Sequence, residues 1–295
     1  GLFSAEANYI QTATSLQVSA EAGVEKLTYE RQPVGNIGLG ATWLPGDKGT
    51  HYLNAYFRSG DQEVMTADAV LTQKNGRDSV EVNTTFEHFP LSLANAFMPD
   101  QVVAFTGDID GGLYISGAME KPKLSGDLSL DSVSVYARQA GARYWFDNRP
   151  LKIENNQLIF NKFAIYTTSR NPFTIDGNID FRNMENPTAK LNLRAQNYTL
   201  LDAPRTKESM IYGKIFVDLN ATVRGPLDGL TMRGNMNLLG NTDVTYVLTD
   251  SPLTVEDRLG ELVTFTSFTD TTSVQATEVP TMSLGGMDML MSVHI

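Results

Sequence analysis

The chain has 295 residues, a formal net charge of −11, a hydrophobic content of 41% and no cysteine. The hydrophobic content excludes general disorder, and the acidic balance argues against a nucleic-acid partner, because phosphates require a basic surface. The lack of cysteine excludes disulfides, thiolate chemistry and cysteine-ligated zinc. No apolar run reaches about 18 residues, so no membrane-spanning helix is predicted.

The N-terminal third is predicted to be mostly β-strand. Apolar and polar residues alternate over residues 37–43, 53–57 and 80–82. Because successive side chains of a strand point to opposite faces, each run is apolar on one side and polar on the other. Turn residues such as Asn75-Gly76 separate the runs and predict antiparallel hairpins. Residues 1–30 fit either a helix or a strand.

Two short helices are predicted. Residues 90–98 start at a proline and are followed by Pro99, which ends a helix. Residues 254–263 start at Thr254, whose hydroxyl can cap a helix, and Glu256 in the first turn complements the helix dipole. Two short helices are too small to cover the apolar faces of many strands.

Alternation is clearest in the second half of the chain. The runs with apolar residues at every second position are residues 173–181, 189–195, 215–223 and 230–238. Residues 115–130 and 223–238 also form a weak internal repeat, each with a strand ending at a glycine, a short connection and a second strand containing a glycine. Such repetition indicates an architecture that is extended by adding hairpins.

A sheet that is apolar on one side has to hide that side from water. It can close into a barrel, stack as a sandwich, or fold into an open trough whose apolar lining is covered by another molecule. Alternation alone leaves these three arrangements open, and most alternating strands face a closed protein core.

No catalytic, metal-binding or cofactor-binding constellation is predicted. The three histidines, His51, His88 and His294, are far apart in sequence and lack metal-ligand spacing. The glycines at residues 35–40 run into a strand and are not followed by a helix, unlike a dinucleotide loop. Residues 108–111 are similar to the start of a calcium loop but lack its later acidic ligand. We therefore expect no enzyme, metal or cofactor.

Patterned glycines and aliphatic residues recur in order through the middle of the chain. The segments are GDIDGGLYISG (107–117), PKLSGDLSL (122–130), LKIENNQLIF (151–160), FTIDGNI (173–179), YG (212–213) and VRGPLDGLTMRGNM (223–236). Over residues 102–268 they resemble the C-terminal domain of the TamB family, the inner-membrane component of the translocation and assembly module. The upstream part of the chain, through Trp43 and the segment FPL at residues 89–91, has a similar residue pattern. The many Asn and Thr residues suggest a Bacteroidetes-type member.

The resemblance implies an all-β fold, in which a long, curved, mostly antiparallel sheet forms an open apolar trough (a β-taco) with one or two short helices. Residues 1–100 would be an upstream β segment continuous with the same sheet, and residues 101–295 a TamB C-terminal-like domain. Gly1 is not an initiator methionine and residues 289–295 read as an interrupted strand, so we expect a piece of a longer protein.

TamB-like proteins are grouped with the AsmA-like, bridge-shaped lipid-transfer proteins. The resemblance therefore implies a periplasmic location in a Gram-negative bacterium and an inner-membrane anchor in a segment absent here. It also implies a BamA-like (TamA-type) outer-membrane barrel as partner and phospholipid acyl chains in the groove. The expected groove-lining residues are Leu113, Ile115, Leu128, Leu130, Phe173, Ile175, Leu191, Leu193, Ile215, Val217, Leu219, Val223, Leu230, Met232, Met236 and Leu238.

Two other functions stay open at the level of sequence. One is an assembly factor that offers strands or a sheet edge to outer-membrane barrel proteins. The other is a carbohydrate-binding β-sandwich, for which aromatic residues on polar strand faces, such as Tyr52 and Tyr56, are the support. An enzyme is the least favoured class, because no acid–base pair or nucleophile can be named.

Overall fold

The structure is a computed structural model that describes residues 1–12, 16–29, 32–74, 77–98, 103–138, 141–205, 211–247 and 288–294. The helix predicted at residues 254–263 and the turn predicted at Asn75-Gly76 lie outside these residues. Within them, seventeen β-strands belong to one sheet. The all-β prediction is therefore confirmed.

Strand lengths range from four to sixteen residues. The strands are β1 (Leu2–Gln11), β2 (Leu16–Tyr29), β3 (Gln32–Pro45), β4 (Thr50–Ser59), β5 (Gln62–Lys74), β6 (Arg77–Pro90), β7 (Val103–Ala118), β8 (Lys123–Ala137), β9 (Ala142–Phe146), β10 (Leu151–Glu154), β11 (Gln157–Tyr166), β12 (Phe173–Asp180), β13 (Thr188–Ala203), β14 (Ile211–Pro226), β15 (Thr231–Leu238), β16 (Asp243–Tyr246) and β17 (Asp288–His294).

The sheet is built almost entirely by adding antiparallel hairpins. Strands β1 to β8 pair in chain order, and β11 to β14 do the same. Strands β9 and β10 both lie between β8 and β11, so they are two halves of one interrupted strand. Strands β15 and β16 share one side of β14 in the same way, and β17 is parallel to β15.

The pairings give fourteen steps from β1 to β17, and at about 4.8 Å a step the sheet is roughly 67 Å long in the stacking direction. The strands before and after residue 100 lie in this one sheet, because β6 pairs with β7 from Ser79 to Pro90. The position of a domain boundary stays a prediction. The repeat seen in the sequence corresponds to the β7–β8 and β14–β15 hairpins.

The register separates an apolar face from a polar face. Leu191, Val223 and Met232 are partners on three neighbouring strands, and the alternate residues Lys190 and Arg224 point to the other side. Since paired residues share a face, the same reasoning extends strand by strand to Phe3 and Tyr9 on β1. The alternation predicted from the sequence therefore becomes one continuous apolar surface.

A line of β-bulges crosses the sheet, and we call this line the crease. The register shifts at Lys26, His88, Lys162 and Asn197, and each of these residues has a positive φ, between 45° and 50°. The interruptions between β9 and β10 and between β15 and β16 lie on the same line. A bulge bends its strand and increases the local twist, so bulges in register fold the whole sheet along one axis.

Each of the four bulges is capped by a side chain from the next strand. The bonds run from the backbone N–H of the bulge residue to a side-chain oxygen: Lys26 to Asn36 (2.8 Å), His88 to Asp110 (2.8 Å), Lys162 to Asp176 (2.8 Å) and Asn197 to Asp218 (2.7 Å). A bulge leaves an N–H outside the strand ladder, and the cap satisfies it. The segment similar to a calcium loop contains Asp110, which acts as one of these caps.

The crease divides the sheet into a long arm and a short arm. The short arm comprises residues 103–106 of β7, residues 133–137 of β8, all of β9, residues 163–166 of β11, residues 198–203 of β13, residues 211–216 of β14, and all of β16. Apolar-face residues of β9 pack against apolar-face residues of β13, so the apolar face is on the inside of the fold. The structure confirms the predicted curved β-taco.

The helix predicted at residues 90–98 is present as a 3₁₀ helix, Leu91–Phe97. Asn95 holds it against β7, accepting a hydrogen bond from the Phe105 N–H (2.6 Å) and donating one to the Phe105 carbonyl (2.9 Å). Phe97 at its end contacts the ring of Tyr29 on β2, with the ring centroids 5.2 Å apart. The helix therefore joins two separate hairpins.

Candidate functional site

The inside of the folded sheet is a long apolar groove. Fifteen of the sixteen predicted lining residues lie on the apolar face, and Leu230 directly precedes β15. Val217 and Val223 are buried, at 2% and 5% exposure, and the others are half-buried. From β12 to β15, no position that the register places on the apolar face holds a charged side chain. That these residues contact a ligand stays a prediction.

The groove is open at its N-terminal end. On the apolar face of β1 and β3, Tyr9 is 71% exposed and Leu39 is 54% exposed, and Phe3 is exposed to a similar degree. In the described part of the chain, no second layer covers them. Exposed apolar area of this kind is typical of a surface that binds another apolar molecule.

Aromatic rings follow the crease along the floor of the groove. Adjacent rings lie 5.8 to 6.1 Å apart in the pairs Phe57–Phe89, Phe86–Phe89, Phe146–Phe163, Phe160–Phe163 and Phe173–Tyr198. All of these residues are on the apolar face. Of these aromatic residues, Phe173 was predicted from the sequence to line the groove, and the others were not predicted. The sequence signal for the others is an aromatic residue within two positions of most bulges.

Part of the short arm closes on itself, and we call this part the clasp. Ala142 on β9 packs with Leu201 and Ala203 on β13, each 4% exposed, and the side chains of Tyr144, Ile211 and Ile215 surround them. The Tyr144 hydroxyl donates a hydrogen bond to the Leu200 carbonyl (3.0 Å). Burial raises the pKa of Tyr144. Ile215, predicted to line the groove, belongs to this packed cluster.

The polar side chains near the groove do not form a catalytic arrangement in the described residues. His88, Asp110 and Asp131 have ligand atoms within 4.8 Å of one another, but the Asp110 carboxylate already caps the His88 bulge. His51 lies on the apolar face, where its ring stacks on Trp43 with centroids 5.6 Å apart.

The polar-face tyrosines that suggested a carbohydrate site are used in packing. The Tyr56 ring lies over Gly40, where an added Cβ would be 2.2 Å from a ring carbon, and the Tyr52 ring similarly lies against Gly46. Arg58 covers the Tyr56 ring at 4.9 Å and donates a hydrogen bond to its hydroxyl (3.1 Å). Cross-strand packing therefore accounts for these aromatic residues without a glycan.

Comparison with known proteins gives one family. The model of the TamB C-terminal domain matches residues 161–284, which include the capped bulges of β11 and β13 and the β13–β14 part of the clasp. No curated protein and no solved structure matches the chain. None of the helices in the described residues is long and apolar enough to cross a membrane.

The matched family is a transport and assembly module of the Gram-negative envelope and is not a known family of enzymes. The match supports a TamB-like role in outer-membrane biogenesis. The suggested Bacteroidetes origin stays a prediction. Residues 161–284 match the TamB C-terminal domain, and this match supports the TamB family for the chain.

Proposed function

We propose that this chain is a periplasmic segment of a TamB-like protein that spans the envelope, and that its groove conducts phospholipid between the inner and outer membranes. In this proposal the full-length protein is anchored in the inner membrane through a segment outside this chain. The observation that supports lipid conduction is the continuous, uncharged apolar wall from β12 to β15, together with the exposed apolar face of β1 to β3.

The groove matches the chemistry of an acyl chain. Each methylene transferred from water to an apolar wall is worth about 0.8 kcal/mol, so an acyl chain that contacts several strands is held firmly. Leu193, Ala221 and Gly234 illustrate how one row of the wall runs across three strands without a polar group. Neighbouring positions along the groove therefore bind an acyl chain with similar free energy. The acyl chain can move along the groove without being held in a deep energy minimum.

Transfer between vesicles tests this proposal. The purified chain is mixed with donor vesicles that contain a pyrene-labelled phospholipid and with unlabelled acceptor vesicles, and the loss of pyrene excimer emission is followed. We expect faster transfer than in vesicles alone, and acyl chains bound to the purified chain by native mass spectrometry. No bound acyl chain together with no acceleration would contradict the proposal.

A second candidate function rests on the edges of the sheet. All ten residues of β1 are exposed, and in the described pairings β1 has one partner, as has β17. Free strand edges can pair with strands of another protein, here a BamA-like (TamA-type) outer-membrane barrel. If Val293→Pro on β17 abolished capture of such a barrel while bound lipid stayed unchanged, an assembly role would be favoured.

A further inference from the structure

The groove differs in accessibility along its length, because it is open at β1 to β3 and closed on itself at the clasp. We infer that the clasp is a gate, which must open before an acyl chain can occupy the part of the groove around Phe173 and Tyr198. This inference rests on the proposed function, since it concerns passage of lipid through the same groove.

The residues closed inside the clasp are a continuation of the groove wall. Ala142 and Tyr144 are on the apolar face through their pairing with β8, and Leu201 and Ala203 are on it through β14. Outside the clasp, residues of this face range from buried, such as Val217 at 2% exposure, to exposed, such as Tyr9 at 71%. Closure therefore uses the same surface that would otherwise contact lipid, so closed clasp and bound acyl chain exclude each other at this point.

The closing contacts are few compared with those of the rest of the sheet. Strand β9 has five residues, with four register pairs to β8 and two, Ile165–Phe146 and Tyr166–Trp145, to β11. The buried centre includes two alanines, which bury little area, and one hydrogen bond joins Tyr144 to the β13 backbone. The hydroxyls of Thr167 and Thr168, just after β11, donate two further hydrogen bonds to β13, at Thr199 and Asp202. Local opening is easiest where a segment buries little apolar surface and makes few pairings.

The clasp also lies beside the aromatic floor. Tyr198, buried at the crease, contacts the ring of Phe173 with centroids 5.8 Å apart. Burial raises the pKa of Tyr198, and the neighbouring phenol of Tyr144 adds to the effect. The Tyr144 hydroxyl bonds the carbonyl of Leu200, two residues from Tyr198 on β13, so the clasp lies beside this part of the floor.

A reversible lock tests the gate. A Cβ added at Gly141 would lie 3.5 Å from the Ala203 Cβ, which is within the range for a disulfide. Gly141→Cys combined with Ala203→Cys therefore joins β9 to β13 with the clasp closed, and the absence of other cysteines makes this bond unique. The reduced form of the same protein is the matched control for any strain at Gly141, whose φ is +60°.

Tryptophan quenching by a dibrominated phosphatidylcholine in vesicles reports where acyl chains enter. Trp43 on β3 is on the apolar face of the open end, and the other tryptophan, Trp145, is on the polar face. One reporter keeps Trp43 and carries Trp145→Phe. The second carries Trp43→Phe and Trp145→Phe together with Phe173→Trp, which replaces one floor aromatic by another.

The expected result is quenching of Trp43 that is the same in the oxidised and reduced proteins. The Phe173→Trp reporter is expected to be quenched in the reduced protein, to lose that quenching on oxidation, and to regain it with reductant. Equal quenching of the Phe173→Trp reporter in both states would overturn the gate while leaving lipid binding intact. Absence of quenching at Trp43 would instead overturn the proposed function, and the gate with it.

A variant without cysteines gives an independent test. Tyr144→Phe removes the hydrogen bond to Leu200, and loss of one such bond is expected to raise the open population about fivefold. The rate of quenching of the Phe173→Trp reporter should rise by about this factor. Tyr166→Phe removes a phenol from the polar face of the same arm and should leave the rate unchanged. Equal rates in the two variants would count against the gate.

Discussion

Leu219→Asp places a carboxylate on the wall of the groove. Leu219 lies on β14, half-buried, with Ala195 and Met236 as its neighbours on the apolar face. The next residue, Asn220, points to the polar face, where its neighbours are Arg194 and Asn235. Asn220→Asp therefore introduces the same charge one position away on the same strand and serves as the matched control.

The size of the effect follows from the contacts that a hydrated carboxylate prevents. If it displaces about three acyl methylenes, each worth about 0.8 kcal/mol, lipid binding weakens by about 2.4 kcal/mol. That free energy corresponds to a loss of affinity of roughly 50-fold. The half-buried leucine also contributes about 1 kcal/mol to folding, so the variant is expected to be slightly less stable and still folded.

The assay combines urea unfolding with vesicle-to-vesicle transfer of a pyrene-labelled phospholipid. Leu219→Asp should keep a cooperative unfolding transition, bind less lipid and transfer it more slowly than Asn220→Asp, which should behave like the unmodified chain. If Leu219→Asp folded, bound lipid and transferred it as well as Asn220→Asp did, the groove wall would not be the binding surface and the reasoning would be refuted.

Three further predictions concern the fold that shapes the groove. Asp176→Ala removes the cap of the Lys162 bulge and should cost about 1–3 kcal/mol in urea unfolding, whereas Asp176→Asn keeps an acceptor and should cost less. Gly177→Ala should destabilise strongly, because φ is +129° and the added Cβ would lie 2.1 Å from a backbone oxygen of β13; a variant as stable as the unmodified chain would contradict this geometry. Burial raises the pKa values of Tyr144 and Tyr198 above the ordinary 10.0, so unfolding releases protons above pH 10 and stability should fall there; ultraviolet titration should show these two phenols among the late ones, and simultaneous titration of all tyrosines would contradict this.

The general architecture was predictable because the relevant signal is local. Alternation at residues 215–223 places Val217 and Val223 on one face wherever the strand lies in the sheet, and the structure has both on the apolar face. Pro90 and the residues after it predicted a short helix, which is present in 3₁₀ form. The patterned glycines and aliphatic residues identified the TamB family, which the family match confirms.

The shape of the groove was less predictable from the same sequence. Asp110 and Asp176 both precede a glycine in the triplet IDG, and one of them was compared with a calcium loop. Their shared task, capping the bulges at His88 and Lys162, depends on the register of neighbouring strands. A sequence reading that tracks alternation alone does not detect a bulge, because an extra residue shifts the pattern on one strand without changing its composition.

By itself, the sequence determined that strands with one apolar and one polar face would build this protein. Side-chain direction along a strand is a property of the backbone, so it could be inferred residue by residue. The tertiary structure decided where the sheet folds and where the groove is closed. The bond between Tyr144 and Leu200 joins residues 56 positions apart, and it forms because curvature of the sheet brings β9 to β13, which no local pattern encodes.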